Sequence, residues 1–159
     1  MPIALTVAIF AAAAPLIAMG SERWPGLAPC ALCLWQRWPY WIAAGIALVA
    51  VFLPEAPRRW MLRLAAVAVL VSGAIAVLHV GVEWKWWPSP LPACQAVGAI
   101  GGTSVDDLMS SLAAAPNKPC DEPAYFFDWM PLSVAQLNLV YALCLAGFAW
   151  WAAGRKRVA

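Results

Sequence analysis

The sequence predicts an all-α membrane protein: a four-transmembrane-helix bundle, with a short amphipathic helix in its second outer loop. Three observations carry that expectation. Of the 159 residues, 64% are hydrophobic and only 11% are charged, whereas a soluble domain is nearer half apolar and a quarter charged. Four long apolar runs approach the ~20 residues that a spanning helix needs. The basic residues also segregate along the chain: Arg58, Arg59 and Arg63 fall between the second and third runs, and Arg155, Lys156 and Arg157 lie near the end. The remaining segments hold every acid except Glu55. Basic connectors stay on the cytoplasmic side, so both termini are expected there, and the segments that carry Cys30, Cys33, Cys94 and Cys120 are expected outside, where disulfides persist.

The chain reads as one domain, residues 1–159. The first span, 3–20, contains Pro15, which helix neighbours in a bilayer tolerate. Ala18-Met19-Gly20 has the small residues of a signal-peptide cleavage site, but no basic segment precedes the run, so it is expected to be retained. An outer loop follows at 21–33. The second span, 34–53, is expected to begin near Cys33, which would put Pro39 in or near its first turn, where a missing N–H matters least. Pro54-Glu55-Ala56-Pro57 breaks the chain before the third span, 60–80. Small residues suited to close helix approach occur there as Ser72, Gly73, Ala74 and Ala76, and in the second span as Ala43, Ala44, Gly45 and Ala47. The fourth span is 133–153. Most of the 11 tryptophans fall near span ends, as an interfacial belt requires.

The second outer loop, 81–132, is rich in proline and glycine and should be largely irregular. Ser104 followed by Asp107 reads as a capping box. Val105, Leu108, Met109 and Leu112 then recur at helical spacing, which predicts an amphipathic helix over 105–114 lying on the outer leaflet. Glu83 and Lys85, flanking Trp84, read as a solvated stretch of this loop.

The chemistry is expected at Pro29-Cys30-Ala31-Leu32-Cys33-Leu34-Trp35-Gln36-Arg37. A thiolate is the reactive form of cysteine, and a helix N-terminus and a nearby cation both stabilise it. If 33–37 is helical, Cys33 and Arg37 share one face. Four outer cysteines allow three pairings; thiol chemistry favours Cys30 with Cys33 and Cys94 with Cys120. A passive staple suits Cys94–Cys120, which would close a long loop, but it suits so small a ring as Cys30–Cys33 poorly. A Cys₄ zinc site normally brings a second close pair, and Cys94 and Cys120 are far apart in sequence. Cys144, in the middle of the fourth span, reads as a small buried hydrophobe. His79 at the outer end of the third span is a candidate site residue, because polar groups at membrane depth are functional by default.

The pattern P-C-x-L-C-x-x-x-R after a first span resembles the DsbB family, as do four spans and a long second outer loop with two separated cysteines. Pro88-Ser89-Pro90 shortly before Cys94 is similar as well. Two features depart from the family: the chain enters its first span almost at once, and His79 lies two positions further from Cys94 than the family's histidine. The resemblance implies a bacterial inner-membrane protein-disulfide:quinone oxidoreductase. Such a protein reoxidises a periplasmic, thioredoxin-fold DsbA-like oxidase and passes the electrons to the quinone pool of the membrane, with ubiquinone or menaquinone as acceptor and no metal or nucleic acid. It also implies roles. Cys94 would form the mixed disulfide with the partner, Cys120 would exchange with Cys30, and Cys33 would face the quinone beside Arg37, with His79 as a second quinone-binding candidate. Two other readings fit less well. Vitamin K epoxide reductase relatives carry their C-x-x-C near the end of the fourth core span, and a non-enzymatic scaffold would use its cysteines only to staple the outer loops.

Overall fold

The computed structural model describes residues 2–23, 27–91, 94, 119–127 and 129–155. They form four helices, α1 (Pro2–Arg23), α2 (Ala31–Val51), α3 (Glu55–Glu83) and α4 (Val134–Gly154), with no strand among the described residues. The expected amphipathic helix at 105–114 lies outside the described residues, as do Trp24, Lys156 and Arg157. Three helices, α1, α3 and α4, are long and apolar enough to cross a membrane. The 21-residue α2 has the length, but Gln36 and Arg37 make its outer half more polar.

Two of the helices, α2 and α4, start where a local side chain satisfies a first-turn amide. In α2 that group is Cys30, whose backbone is extended (φ −91°, ψ 167°) and whose sulfur accepts the Cys33 amide at 3.2 Å. The helix therefore begins at the cysteine motif itself. Pro39, expected in or near the first turn, sits well inside α2 and is buried there, which leaves the Trp35 carbonyl without its usual helical donor. At the other end of α2, Arg58 donates from Nε to Ala50 O (3.2 Å) and from Nη2 to Leu53 O (2.6 Å), satisfying carbonyls that a helix end leaves open. α3 begins at Glu55, ahead of the expected Trp60, because Pro57 falls in its first turn, where no amide hydrogen is needed. α4 opens with a complete capping box: Ser133 Oγ accepts the Gln136 amide (3.3 Å) and Gln136 Oε1 accepts the Ser133 amide (3.1 Å).

The end of α3 corrects the expectation of a solvated Glu83–Lys85 stretch at Glu83, whereas Trp84 and Lys85 are exposed as expected. Glu83 is the last helical residue and is 9% exposed, with Ser133 Oγ donating to its Oε2 at 2.6 Å. Lys85 has φ 58°. Its amide bonds Val82 O (3.0 Å) and the Trp86 amide bonds Gly81 O (2.9 Å), which together make a Schellman termination. The chain then folds back, and Trp87 Nε1 donates to Leu78 O at 3.0 Å. A Cβ on Gly81 would collide with the Trp87 ring.

α3 packs along both α2 and α4, and α1 packs along α2. The buried centre is built mostly of alanine, including Ala11, Ala43, Ala47, Ala65, Ala66, Ala142, Ala146 and Ala149, as expected where helix association rests on close backbone approach. At Gly73 a Cβ would lie 3.3 Å from Ala142 Cβ. The large side chains point outward, among them Ile9, Ile17, Ile42, Leu64 and Leu143. That arrangement suits a lipid surround. Two expectations fail: Gly45 and Cys144 both face outward, exposed, rather than into a helix interface or the core. Ala74 is exposed too, whereas Ser72, Gly73 and Ala76 are buried. Exposed tryptophans mark both ends: Trp35, Trp38, Trp84 and Trp86 near the cysteine motif, and Trp60, Trp150 and Trp151 at the other. At that second end Arg63 lies over the rings of Trp60 (5.0 Å) and Trp150 (5.8 Å).

Candidate functional site

The site lies where the start of α2, the end of α3 and the start of α4 converge. Cys30, Leu32, Val82, Cys94 and Cys120 form one buried cluster. Cys94 and Cys120 are joined by a disulfide, with Cα atoms 4.8 Å apart, and the Cys120 amide donates to Cys94 O at 3.2 Å. Cys30 and Cys33 are free thiols with their sulfurs 2.8 Å apart. The fold thus brings all four sequence-identified cysteines to one end of the helices, although Cys94 and Cys120 are distant from the motif in sequence.

The two thiols differ. Cys30 is 4% exposed. Cys33 is partly exposed and sits in the first turn of α2, where the helix N-terminus favours an anion. The hydrogen bond from Cys30 holds the Cys33 thiol below the ordinary cysteine range, helped by the backbone and by the charge of Arg37. The same hydrogen bond, with burial, pushes the Cys30 thiol up. The pair is therefore unequal, with Cys33 the thiol that ionises more readily.

Cys33 opens onto a cavity of about 280 Å³ between α1, α2 and α4. Its walls are apolar, with Pro15, Ile17, Leu27 and Leu137 among them, apart from a polar strip that includes Cys33, Gln36, Arg37, Tyr40 and Asn138. Arg37 stands where the sequence places it, one turn beyond Cys33, but its Nη2 is ion-paired with Glu22 of α1, a partner that sequence reasoning missed. Arg37 Nε is buried, with no hydrogen-bond partner among the described residues.

His79 is buried and does not line this cavity. It stands on the far side of the thiol pair, with Nε2 3.5 Å from Cys30 Sγ and 3.9 Å from Glu83 Oε1. Its Nδ1 lies 3.1 Å from Gln36 Nε2. Asn138 Nδ2 donates to Gln36 Oε1 (2.7 Å), and Tyr40 OH donates to Asn138 Oδ1 (2.8 Å). Sequence reasoning passed over Gln36, Tyr40, Ser72 and Asn138. The available signal was each polar side chain inside an apolar run. Cys30, Cys33 and His79 offer donor atoms within 4.8 Å of one another, a set that a thiophilic metal ion could use.

Fold and site together define a helical membrane protein with a buried thiol–disulfide centre at one end. The whole-chain comparison is specific. The family model described as disulfide bond formation protein DsbB matches residues 1–152, and the chain belongs to the DsbB family. It is 28% identical over 137 residues to disulfide bond formation protein B of Pasteurella multocida, covering 80% of this chain and 75% of that one. It is also 26% identical over 121 residues to an uncharacterized protein of Rickettsia prowazekii, covering 76% of this chain and 68% of that one. No solved structure matches it significantly.

Proposed function

We propose that this protein takes electrons from a DsbA-like periplasmic dithiol protein and delivers them to a membrane quinone. The observation that carries the reading is the placement of Cys33. Cys33 packs against the buried cysteine cluster and also lines an apolar cavity that Arg37 lines with it. Four spans with both termini in the cytoplasm would set this end at the periplasmic face of the inner membrane, as the basic connectors require.

The cavity residues fit a quinone head group. The volume and apolar walls suit a ring, and the unpartnered Arg37 Nε is a donor for a carbonyl oxygen that gains negative charge. A quinone bound there would supply the final acceptor, taking two electrons and two protons. The cysteines carry the earlier steps by thiolate attack on disulfide sulfur. A partner thiolate attacks Cys94, giving a mixed disulfide and releasing Cys120 as a thiolate. Cys120 attacks an oxidised Cys30–Cys33 bond at Cys30 and releases Cys33. The partner's second thiolate closes the partner's own disulfide and frees Cys94. Cys94 then recaptures Cys120 and releases Cys30. The partner is oxidised, the Cys94–Cys120 bond is restored, and two electrons rest on Cys30 and Cys33 beside the cavity.

Purified protein with a reduced DsbA-like donor and a short-chain quinone tests this. Catalytic loss of the quinone absorbance is expected, and Cys33→Ser should abolish it while the protein remains folded. Undiminished turnover by Cys33→Ser would overturn the reading.

A further inference from the structure

The buried polar side chains around His79 form a chain in which every donor points the same way. Tyr40 OH donates to Asn138 Oδ1, and Asn138 Nδ2 donates to Gln36 Oε1. The Gln36 amide nitrogen faces His79 Nδ1 at 3.1 Å. A carboxamide nitrogen only donates, so Nδ1 accepts, and a neutral ring then carries its proton on Nε2, the nitrogen facing Cys30 Sγ. Cys30 in turn lies against Cys33 at 2.8 Å. The chain runs Tyr40, Asn138, Gln36, His79, Cys30, Cys33 and draws on α2, α3 and α4.

Amide orientation is assigned from the network, and this network pins it. Ser72 Oγ donates to the Gln36 backbone carbonyl at 2.8 Å, so its proton is already used. Towards Asn138, at 3.4 Å, it can only accept. Asn138 must therefore turn its nitrogen to Ser72 and Gln36 and its oxygen to Tyr40, and Gln36 must turn its oxygen to Asn138 and its nitrogen to His79. The carboxylate of Glu83, 3.9 Å from Nε2, favours a proton on that same nitrogen. A buried chain of this kind holds one polarity, because reversing it leaves a buried donor or acceptor unmet.

We propose that Gln36, held by Asn138, Tyr40 and Ser72, is a positioning residue that fixes the His79 ring with its Nε2 proton towards Cys30, where that N–H favours negative charge on the Cys30 sulfur as it is released as a thiolate. Gln36 acts through His79 and touches neither sulfur. Its side chain also lines the cavity, so one residue joins the cavity wall to the far side of the thiol pair. The inference rests on the redox role proposed for Cys30 and Cys33, but its test needs neither quinone nor partner.

His79 is the only histidine, so protein labelled with ¹⁵N-histidine reports a single ring. In the dithiol-reduced wild-type protein, the two ring nitrogens should show the Nε2–H tautomer. A proton on Nδ1 would overturn the proposal without any mutation being made. Gln36→Leu should give a mixed tautomer. It should also raise the ratio of Cys33 to Cys30 alkylation by about tenfold, the effect of one pKa unit, because Cys30 loses its donor, and Asn138→Leu should act in the same direction. A folded Gln36→Leu protein with the wild-type tautomer and alkylation ratio would refute it. Failure of quinone reduction by the wild-type protein would instead count against the enzymatic reading and leave the tautomer measurement standing.

Discussion

At the residue scale the site turns on the inequality between Cys30 and Cys33. Cys33 ionises first as pH rises, so alkylation near neutral pH should fall on Cys33, with a midpoint below that of an ordinary thiol. In the reduced protein Cys33 by itself adds stability above the ordinary thiol range, lost as pH falls through its lowered folded value, while the raised Cys30 works the other way above that range. Glu22 moderates this, because its carboxylate pairs with the Arg37 charge that favours the thiolate. Glu22→Gln should therefore speed Cys33 alkylation near neutral pH by roughly threefold or more, the effect of about half a pKa unit. An unchanged or slower rate would show that Arg37 serves only to join α1 to α2. The sequence made Cys30, Cys33 and Arg37 legible because they form a local motif. Glu22, Gln36, Ser72 and Asn138 were not legible as a set. Each is a single polar residue on a different helix or turn, and only the rotational setting of the helices brings them together.

At the scale of elements, the four helices among the described residues were legible from apolar runs, three of them long and apolar enough to cross a membrane, but the facing of individual residues was not. Gly45 and Gly73 illustrate this. Both were expected to serve close approach, yet Gly45 has open space around its Cβ position and Gly73 abuts Ala142. Gly45→Ala should leave thermal stability unchanged. Gly73→Leu should force α3 from α4 and destabilise by about 1–3 kcal/mol, as overpacking does. Equal effects of the two changes, read by thermal unfolding in detergent, would contradict this packing. Cys144 was misplaced for the same reason: beyond Tyr141 its helix carries no polar side chain to show which side meets lipid. The turn after α3 was hidden differently, since Lys85 adopts a left-handed conformation that usually selects glycine. Gly81→Ala should displace Trp87, break its bond to Leu78, and loosen the entry to the Cys94 segment. Faster proteolysis between α3 and α4, with the helix content retained, is the expected sign, and wild-type resistance would contradict it.

At the scale of the whole molecule, the fold sets two cysteine pairs against each other at one end of an alanine-cored bundle and places Cys33 of one pair on a cavity. The sequence could pair the cysteines by chemistry, but it could not show that Cys94 and Cys120 share a buried cluster with Cys30, because that contact joins segments far apart in the chain. Nor could it show a cavity, which arises from the spacing of α1, α2 and α4. The same geometry places His79 against Cys30 and away from the cavity, so it bears on the cavity through the thiol pair and through Gln36. The account's central claim is the direction of electron flow through these two pairs. The most direct measurement maps alkylated cysteines by mass spectrometry after fully oxidised protein meets excess reduced DsbA-like partner without quinone, and again after quinone is added. Labels should appear on Cys30 and Cys33 in the first sample and vanish from both in the second. Labels confined to Cys94 and Cys120, with Cys30 and Cys33 unreactive and quinone without effect, would contradict the account.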